Sequence, residues 1–392
     1  MTQSKLGHGR PRVLIVGMLD SSHVAAWIQS VACLDYEIHL FPSSPHRRVH
    51  PTIRELLNSP EVSLHLSRFL RLGSLAIWAF DQFRVVHVRR HILQRFMKKI
   101  NPHLVHALEF QHAAYLVDSA TAFKHRTFYV TNYGSDIYWF RRSPRHAERI
   151  RNVLRHANFY SAECHRDVQL ALEFGFSGHV FPVVPNAGGI PQSMFDQIPQ
   201  VPPSERSVIA VKGYTNFVGR AQIALRALVV LRRQIEQYTI VVYSATTRAR
   251  LIATWMRLRY QIRIEAIPKF RLSRDEVVKL MNRAALYIGV SDSDGLSTSM
   301  IEALSCGTYV IQSGTSCCEE VINDPKQGSV LSENTVSAVC EAIGVFLRQR
   351  DQRDIAAHES ADRVRSLFDS KVLSQQARDC YRLCLATPSG PN

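Results

Sequence analysis

The chain has 392 residues, 46% apolar and 21% charged, with ordinary Gly and Pro counts of 18 and 17. This excludes a disordered, collagenous or low-complexity protein, and the length calls for two cores rather than one. Eight scattered Cys without a Cys-x-x-Cys pair exclude a zinc-ribbon or disulfide framework and read as reduced thiols of a cytoplasmic protein, while the formal charge of +15 favours anionic partners.

The polar lead of "MTQSKLGHGRPRVLIVGML" is followed by an apolar run too short for a signal sequence or a membrane span, so Val13–Met18 reads as a first strand. "HVAAWIQSVACL" then has helical spacing, and Glu37–Phe41 is the next strand. Between Arg54 and Lys99 nine basic residues face three acidic ones. Phe69, Trp78, Phe80, Phe83 and Phe96 are interleaved with them. That pattern suits an anionic membrane surface, and a protein peripheral on the inner face of the membrane, or it is simply a set of core-facing helices with a basic solvent side. No nucleic-acid-binding motif accompanies it, so no nucleic-acid partner is expected.

The alternation continues through Leu104–Ala107, Thr127–Thr131, Asn158–Ala162 and Val180–Val184. The Pro-, Gly- and Ser-rich stretch "PNAGGIPQSMFDQIPQVPPSERS" is the best linker candidate. Strands then resume at Val208–Lys212, Thr239–Tyr243, Ile262–Ala266, Leu286–Val290 and Thr308–Gln312. Strands separated by helices imply parallel sheets with right-handed crossovers. The expected fold is α/β: two Rossmann-like doubly wound domains facing a cleft, over residues 1–186 and 207–365. Residues 187–206 form the linker, and 366–392 a terminal helix packed back on the first domain.

"SDSDGLSTSMIEALSCGTYVIQS" spans Ser291–Ser313. After the strand, Gly295 allows close backbone approach, Ser297, Thr298 or Ser299 can cap the next helix, and Gly307 stops it. Asp294 thus precedes a helix N-terminus and Glu302 lies inside the helix, up to about 12 Å away. Two acids flanking an anion-attracting helix end suit an elongated ligand with hydroxyls at both ends and phosphates between, such as a nucleotide-diphosphate sugar. Two plainer readings compete. Ser299-x-x-Glu302 is a capping box, and Asp292-x-Asp294 is a pair able to ligate a divalent metal.

"DGLSTSMIEALSCGTYVI" resembles the acidic-x7-acidic signature of retaining family 4 glycosyltransferases, also called glycosyl transferases group 1, which have the GT-B fold. Agreement is specific at Glu302, Ala303, Cys306, Gly307, Val310 and Ile311, and Glu320–Ile322 resembles the next acidic-Val-Ile turn. "VVPNAGGI" with Pro185 and Asn186, "YGSDI" with Gly134 and Asp136, and "DSSHVAAWIQSV" with His23 and Trp27 are similar to further family segments. The resemblance runs in order from residue 12 to about 325. This sequence departs from the pattern at Asp294, where Glu is usual, at Tyr309 in place of Pro, and at Tyr133 in place of a His.

The resemblance implies a glycosyltransferase of hexosyl type. Its donor would be a nucleotide sugar, and its acceptor a glycan, a lipid-linked glycan or another hydroxyl compound. The anomeric configuration would be retained, without a metal or dissociable cofactor. The first domain would bind the acceptor and the second the donor. Asp294, Glu302, Lys212, Arg220 and Asp136 would serve catalysis. Gly17, Ser21, Ser22, Gly295, Leu296, Ser297 and Thr298 would join Glu302 in holding the donor, and His23 and Tyr133 would touch acceptor or sugar. Lys212 and Arg220 would bracket the diphosphate and stabilise charge growing on the leaving group. Each has a bland counterpart: Lys212 and Arg220 as solvated cations, His23 as a structural residue, Asp136 as a turn former. Two other functions remain at this point, a GT-B-fold sugar-nucleotide epimerase and a non-catalytic basic module that binds membrane or nucleic acid.

Overall fold

The computed structural model describes residues 9–44, 49–66, 70, 86–120, 126–185, 188–348 and 361–387. The chain divides into two compact units, Met1–Gly188 with Lys371–Asn392, and Gly189–Ser370. Among the described residues no helix is long and apolar enough to cross a membrane.

The first unit is built on a seven-stranded sheet in the order β3-β2-β1-β4-β5-β6-β7, all parallel. The strands are β1 Arg12–Gly17, β2 Glu37–Pro42, β3 Leu64–His65, β4 Leu104–Leu108, β5 Thr127–Thr131, β6 Phe159–Ser161 and β7 His179–Val180. β1, β4 and β5 are almost wholly buried, as expected where helices cover both faces of a parallel sheet and strands read as continuous apolar runs. Two strands depart from the sequence reading. β3 has only two residues, too few for any periodicity. β7 ends at Val180 rather than running to Val184, because Pro182 has no N–H for the ladder.

The helix Ser370–Ala386 completes this unit. Its Tyr381 is fully buried, and Leu373, Ala377, Cys380 and Cys384 line the same inward face. The Tyr381 hydroxyl lies 3.2 Å from Trp27 Nε1 and 2.9 Å from His106 Nδ1. The indole N–H can only donate. Tyr381 therefore accepts it and has its own proton for Nδ1, leaving Nε2 of His106 to donate to Thr131 Oγ1 at 2.7 Å. Burial holds the His106 pKa well below its ordinary value, which fits this neutral imidazole stacked on Tyr129 at 3.9 Å.

The second unit has a six-stranded parallel sheet in the order β10-β9-β8-β11-β12-β13. Its strands are β8 Val208–Lys212, β9 Thr239–Ala245, β10 Ile264–Pro268, β11 Ala284–Gly289, β12 Tyr309–Ser313 and β13 Gly328–Leu331. The edge strand β13, opening on Gly, was not legible as a strand. Residues 189–206 belong to this unit and carry a short helix, Gln192–Asp196, and a turn of 3-10 helix, Pro203–Glu205.

In each sheet the strand order reverses direction at the first strand. β1 has β2 on one side and β4 on the other, and β8 has β9 and β11. Such a switch point opens a crevice beyond the C-terminal strand ends, where ligands of doubly wound sheets bind. The residues that follow β1, β4, β8 and β11 are therefore the ones to inspect.

Candidate functional site

In the second unit, Lys212 ends β8 and the turn 290–297 follows β11, its neighbour across the switch point. Lys212 Nζ lies 3.3 Å from Asp294 Oδ2 and 3.4 Å from Ser297 Oγ. Burial alone would lower the Lys212 pKa, but Asp294, with help from Tyr287 and Tyr214, outweighs it and holds the ammonium above its ordinary value. The group is a fixed cation at neutral pH.

Ser297 is the N-cap of the helix Thr298–Ser305. Its side chain makes no cap bond and faces Lys212 instead. The helix thus presents its N-terminal turn beside a permanent positive charge, and Leu296 is buried beneath it. Gly307 at φ 67 supplies the left-handed residue that ends this helix, where a Cβ would be strained.

The capping-box reading of Glu302 is overturned. The cap falls at Ser297, so Glu302 sits two positions beyond the place a box requires. Its Oε1 instead accepts from Arg274 Nε at 3.3 Å, and Arg274 also donates through NH2 to the carbonyl of Gly189. Burial raises the Glu302 pKa above its ordinary value, against the opposing pull of Arg274 and Lys212. That Lys212 is felt at Glu302 shows that its field reaches both acids. Arg274 was not singled out from the sequence. It opens a helix, Arg274–Arg283, whose Ser273–Glu276 capping box is fully formed, and nothing local distinguishes it from other first-turn cations.

Arg220 stands apart from this cluster. Its Nε donates to Asp292 Oδ2 at 2.6 Å and its NH2 also contacts that oxygen. Asp292 Oδ1 accepts from Asn334 Nδ2 at 3.2 Å. Asp294 Oδ1 accepts from the N–H of Gly295 at 3.1 Å. The two acids of Asp292-x-Asp294 thus each have their own cation and their own N–H donor.

In the first unit, Gly17 ends β1, and a Cβ there would lie 3.1 Å from Val24 Cγ2, so the chain turns closely over the next helix. Ser21 caps that helix by accepting from the N–H of His23 at 3.2 Å, and Ser22 is its first residue. The His23 ring is 5.4 Å from that of Tyr133. Asp136 is buried, and its Oδ2 accepts from the N–H groups of Phe110 at 3.0 Å and Tyr133 at 2.9 Å. It is a turn former, joining the loops after β4 and β5. Burial first, and Glu109 second, hold its pKa well above the ordinary carboxylate value.

Glu109 was missed. It follows β4 at the switch point with φ 85, an uncommon conformation for a non-glycine residue. Its Oε1 accepts from His112 N–H at 2.7 Å and Ala113 N–H at 2.6 Å. An acid after a strand is too common a pattern to stand out in a sequence. Asn186 and the aromatic residues Phe69, Trp78, Phe80 and Phe83 lie outside the described residues. Phe96 packs against the core of the first unit.

Residues 198–363 match the family described as glycosyl transferases group 1. No protein of curated function matches the sequence. The fold is similar to sucrose-phosphate synthase from Thermosynechococcus elongatus, with TM-score 0.70 and 12% identity over 96% of this chain and 100% of that one. It is also similar to a glycosyltransferase from Rickettsia africae, with TM-score 0.67 and 14% identity over 97% and 100%. Anabaena HepE in complex with UDP and glucose gives TM-score 0.66 and 15% identity over 94% and 99%. The two doubly wound parallel sheets give the chain the GT-B fold of these structures. The residues that match the glycosyl transferases group 1 model lie in its second unit and include Lys212, Asp294 and Glu302.

Proposed function

We propose that the protein transfers a sugar from a nucleotide-diphosphate sugar to a hydroxyl acceptor with retention of configuration. The observation that carries the reading is the placement of Lys212 Nζ between Asp294 and the N-cap Ser297, at the N-terminus of Thr298–Ser305. A diphosphate there meets an ammonium and a helix N-terminus together. Gly295, Leu296, Ser297 and Thr298 line its path, and Asp294 and Glu302 accept hydrogen bonds from hydroxyls at its two ends.

In this reading the bond between the anomeric carbon and the leaving phosphate oxygen breaks as the acceptor oxygen bonds the same face. The acceptor proton passes to the departing phosphate. Lys212, joined by Arg220 once a nucleotide competes for it with Asp292, stabilises the charge on the leaving group. The chemistry needs no protein nucleophile, dissociable cofactor or metal. In the first unit Gly17, Ser21, Ser22, His23, Tyr133 and Asp136 serve substrate binding, with Asp136 acting by holding its loops in place. The acceptor class this unit would suit is a glycan or lipid-linked glycan.

Thermal-shift screening against nucleotide sugars tests the reading, beginning with uridine donors, since HepE is described with UDP-glucose. A stabilising donor, with transfer lost in Lys212→Ala and Glu302→Ala at unchanged melting temperature, is the expected result. Full activity in both variants, or epimerisation of the donor without an acceptor, overturns it.

A further inference from the structure

The helix Thr247–Tyr260 links β9 to β10 in the second unit. Its inward face is conventional: Ala249, Ala253 and Met256 are buried. Its outward face is not. Leu251 is 67% exposed, Trp255 52% and Leu258 75%. At about 100° per residue these three fall within about 60° of one another, diametrically opposite the buried face. The stripe therefore points straight away from the sheet. Arg248 and Arg259 flank it on one side and Arg250 and Arg257 on the other, and the helix contains no Asp or Glu.

An apolar strip edged by arginines on both sides matches one environment, a bilayer interface. Leu and Trp enter the acyl boundary, and guanidinium groups stay at the level of anionic phosphates. The charge favours an anionic partner and the apolar strip favours a plane with an apolar layer beneath it. A bilayer of acidic phospholipid offers both along the whole helix. We infer that this helix docks the protein on an anionic membrane surface through Leu251, Trp255 and Leu258. The contact lies on the second unit, whereas the basic segment 54–99 belongs to the first, and involves none of the residues assigned to the donor.

The test uses the full chain without nucleotide, so its outcome is independent of the proposed reaction. Flotation is measured with phosphatidylcholine vesicles and with vesicles of phosphatidylcholine and phosphatidylglycerol in equal parts. A chain of net charge +15 can adhere to the second kind by charge alone. The deciding variant is therefore Leu251→Ser, Trp255→Ser and Leu258→Ser together, which keeps the charge. Partitioning to the mixed vesicles is expected to fall at least about tenfold in this variant, and replacing the four arginines by Gln is expected to weaken the preference over neutral vesicles. Brominated lipid is expected to quench the wild type more than Trp255→Phe. Equal partitioning of the wild type and the triple variant overturns the proposal, as does a wild-type dimer that the triple variant converts to monomer.

Discussion

Lys212 and Asp294 meet across the switch point of the second sheet, Nζ 3.3 Å from Oδ2, one closing β8 and the other in the turn after β11. The ion pair joins two strands that are neighbours in the sheet but 82 positions apart in sequence. The short side chain of Asp294 is enough to reach the lysine.

Removing the ammonium should therefore affect chemistry far more than folding. Lys212→Met is expected to lower kcat by about 10²–10³. The melting temperature should stay near that of the wild type, because Asp294 is partly exposed and can be hydrated. Steady-state kinetics with the donor found by screening, alongside thermal melts, checks both halves.

Arg274 is the counter-ion that makes a buried Glu302 tolerable. Arg274→Met should cost about 1–3 kcal/mol, the penalty for stranding a buried acceptor. The effect has a sign in pH. Burial raises the Glu302 pKa, so the folded state holds the proton more tightly than the unfolded chain. The stability this contributes is complete below the ordinary carboxylate value and is lost as pH climbs through the raised one. Loss of Arg274 raises that pKa further, so urea melts should show a larger deficit at pH 8 than at pH 5.

Asp136 allows a complementary experiment. Its pKa is also raised, by burial and by Glu109, so ionising it with rising pH costs stability in the same direction. Asp136→Asn keeps an oxygen for the N–H groups of Phe110 and Tyr133 while removing the charge. It should flatten the decline of stability above the ordinary carboxylate range. Asp136→Ala strands both donors and should cost about 1–3 kcal/mol relative to Asp136→Asn at every pH. Denaturant titrations from pH 5 to 8 separate the two variants.

Tyr381→Phe removes the hydroxyl shared by Trp27 and His106. With both partners buried, a loss of about 1–3 kcal/mol is expected. Chemical denaturation followed by tryptophan fluorescence reads it directly.

Much of this was legible in the sequence because burial leaves a strong imprint. β1, β5 and β8 are apolar runs bounded by polar turns, and a parallel sheet covered on both sides needs that pattern. The helix that carries Glu302 was visible because a small-residue turn before it and a left-handed glycine after it leave local signals at both ends. Partnership was not legible. Nothing in "RDEVVKLMNR" says that Arg274 will find Glu302, 28 positions on, and nothing in "DCYRLCL" says that Tyr381 will reach a histidine 275 positions earlier. Arg220 had the right charge for a diphosphate, yet its partner in the fold is Asp292. The helix Thr247–Tyr260 hid for another reason. Apolar residues on opposite faces cancel in any periodicity, so a helix with one side for the core and one for a surface looks patternless.

The helix Ser370–Ala386 has a consequence for how the molecule is made. The first sheet is encoded before the second, but its covering helix is encoded after both. On the ribosome, residues 9–185 emerge with the socket around Trp27 and His106 still open, and it stays open while the whole of the second unit is translated. The second unit can close on itself as soon as residue 370 is out. The half of the protein whose synthesis starts first is thus the last to be finished.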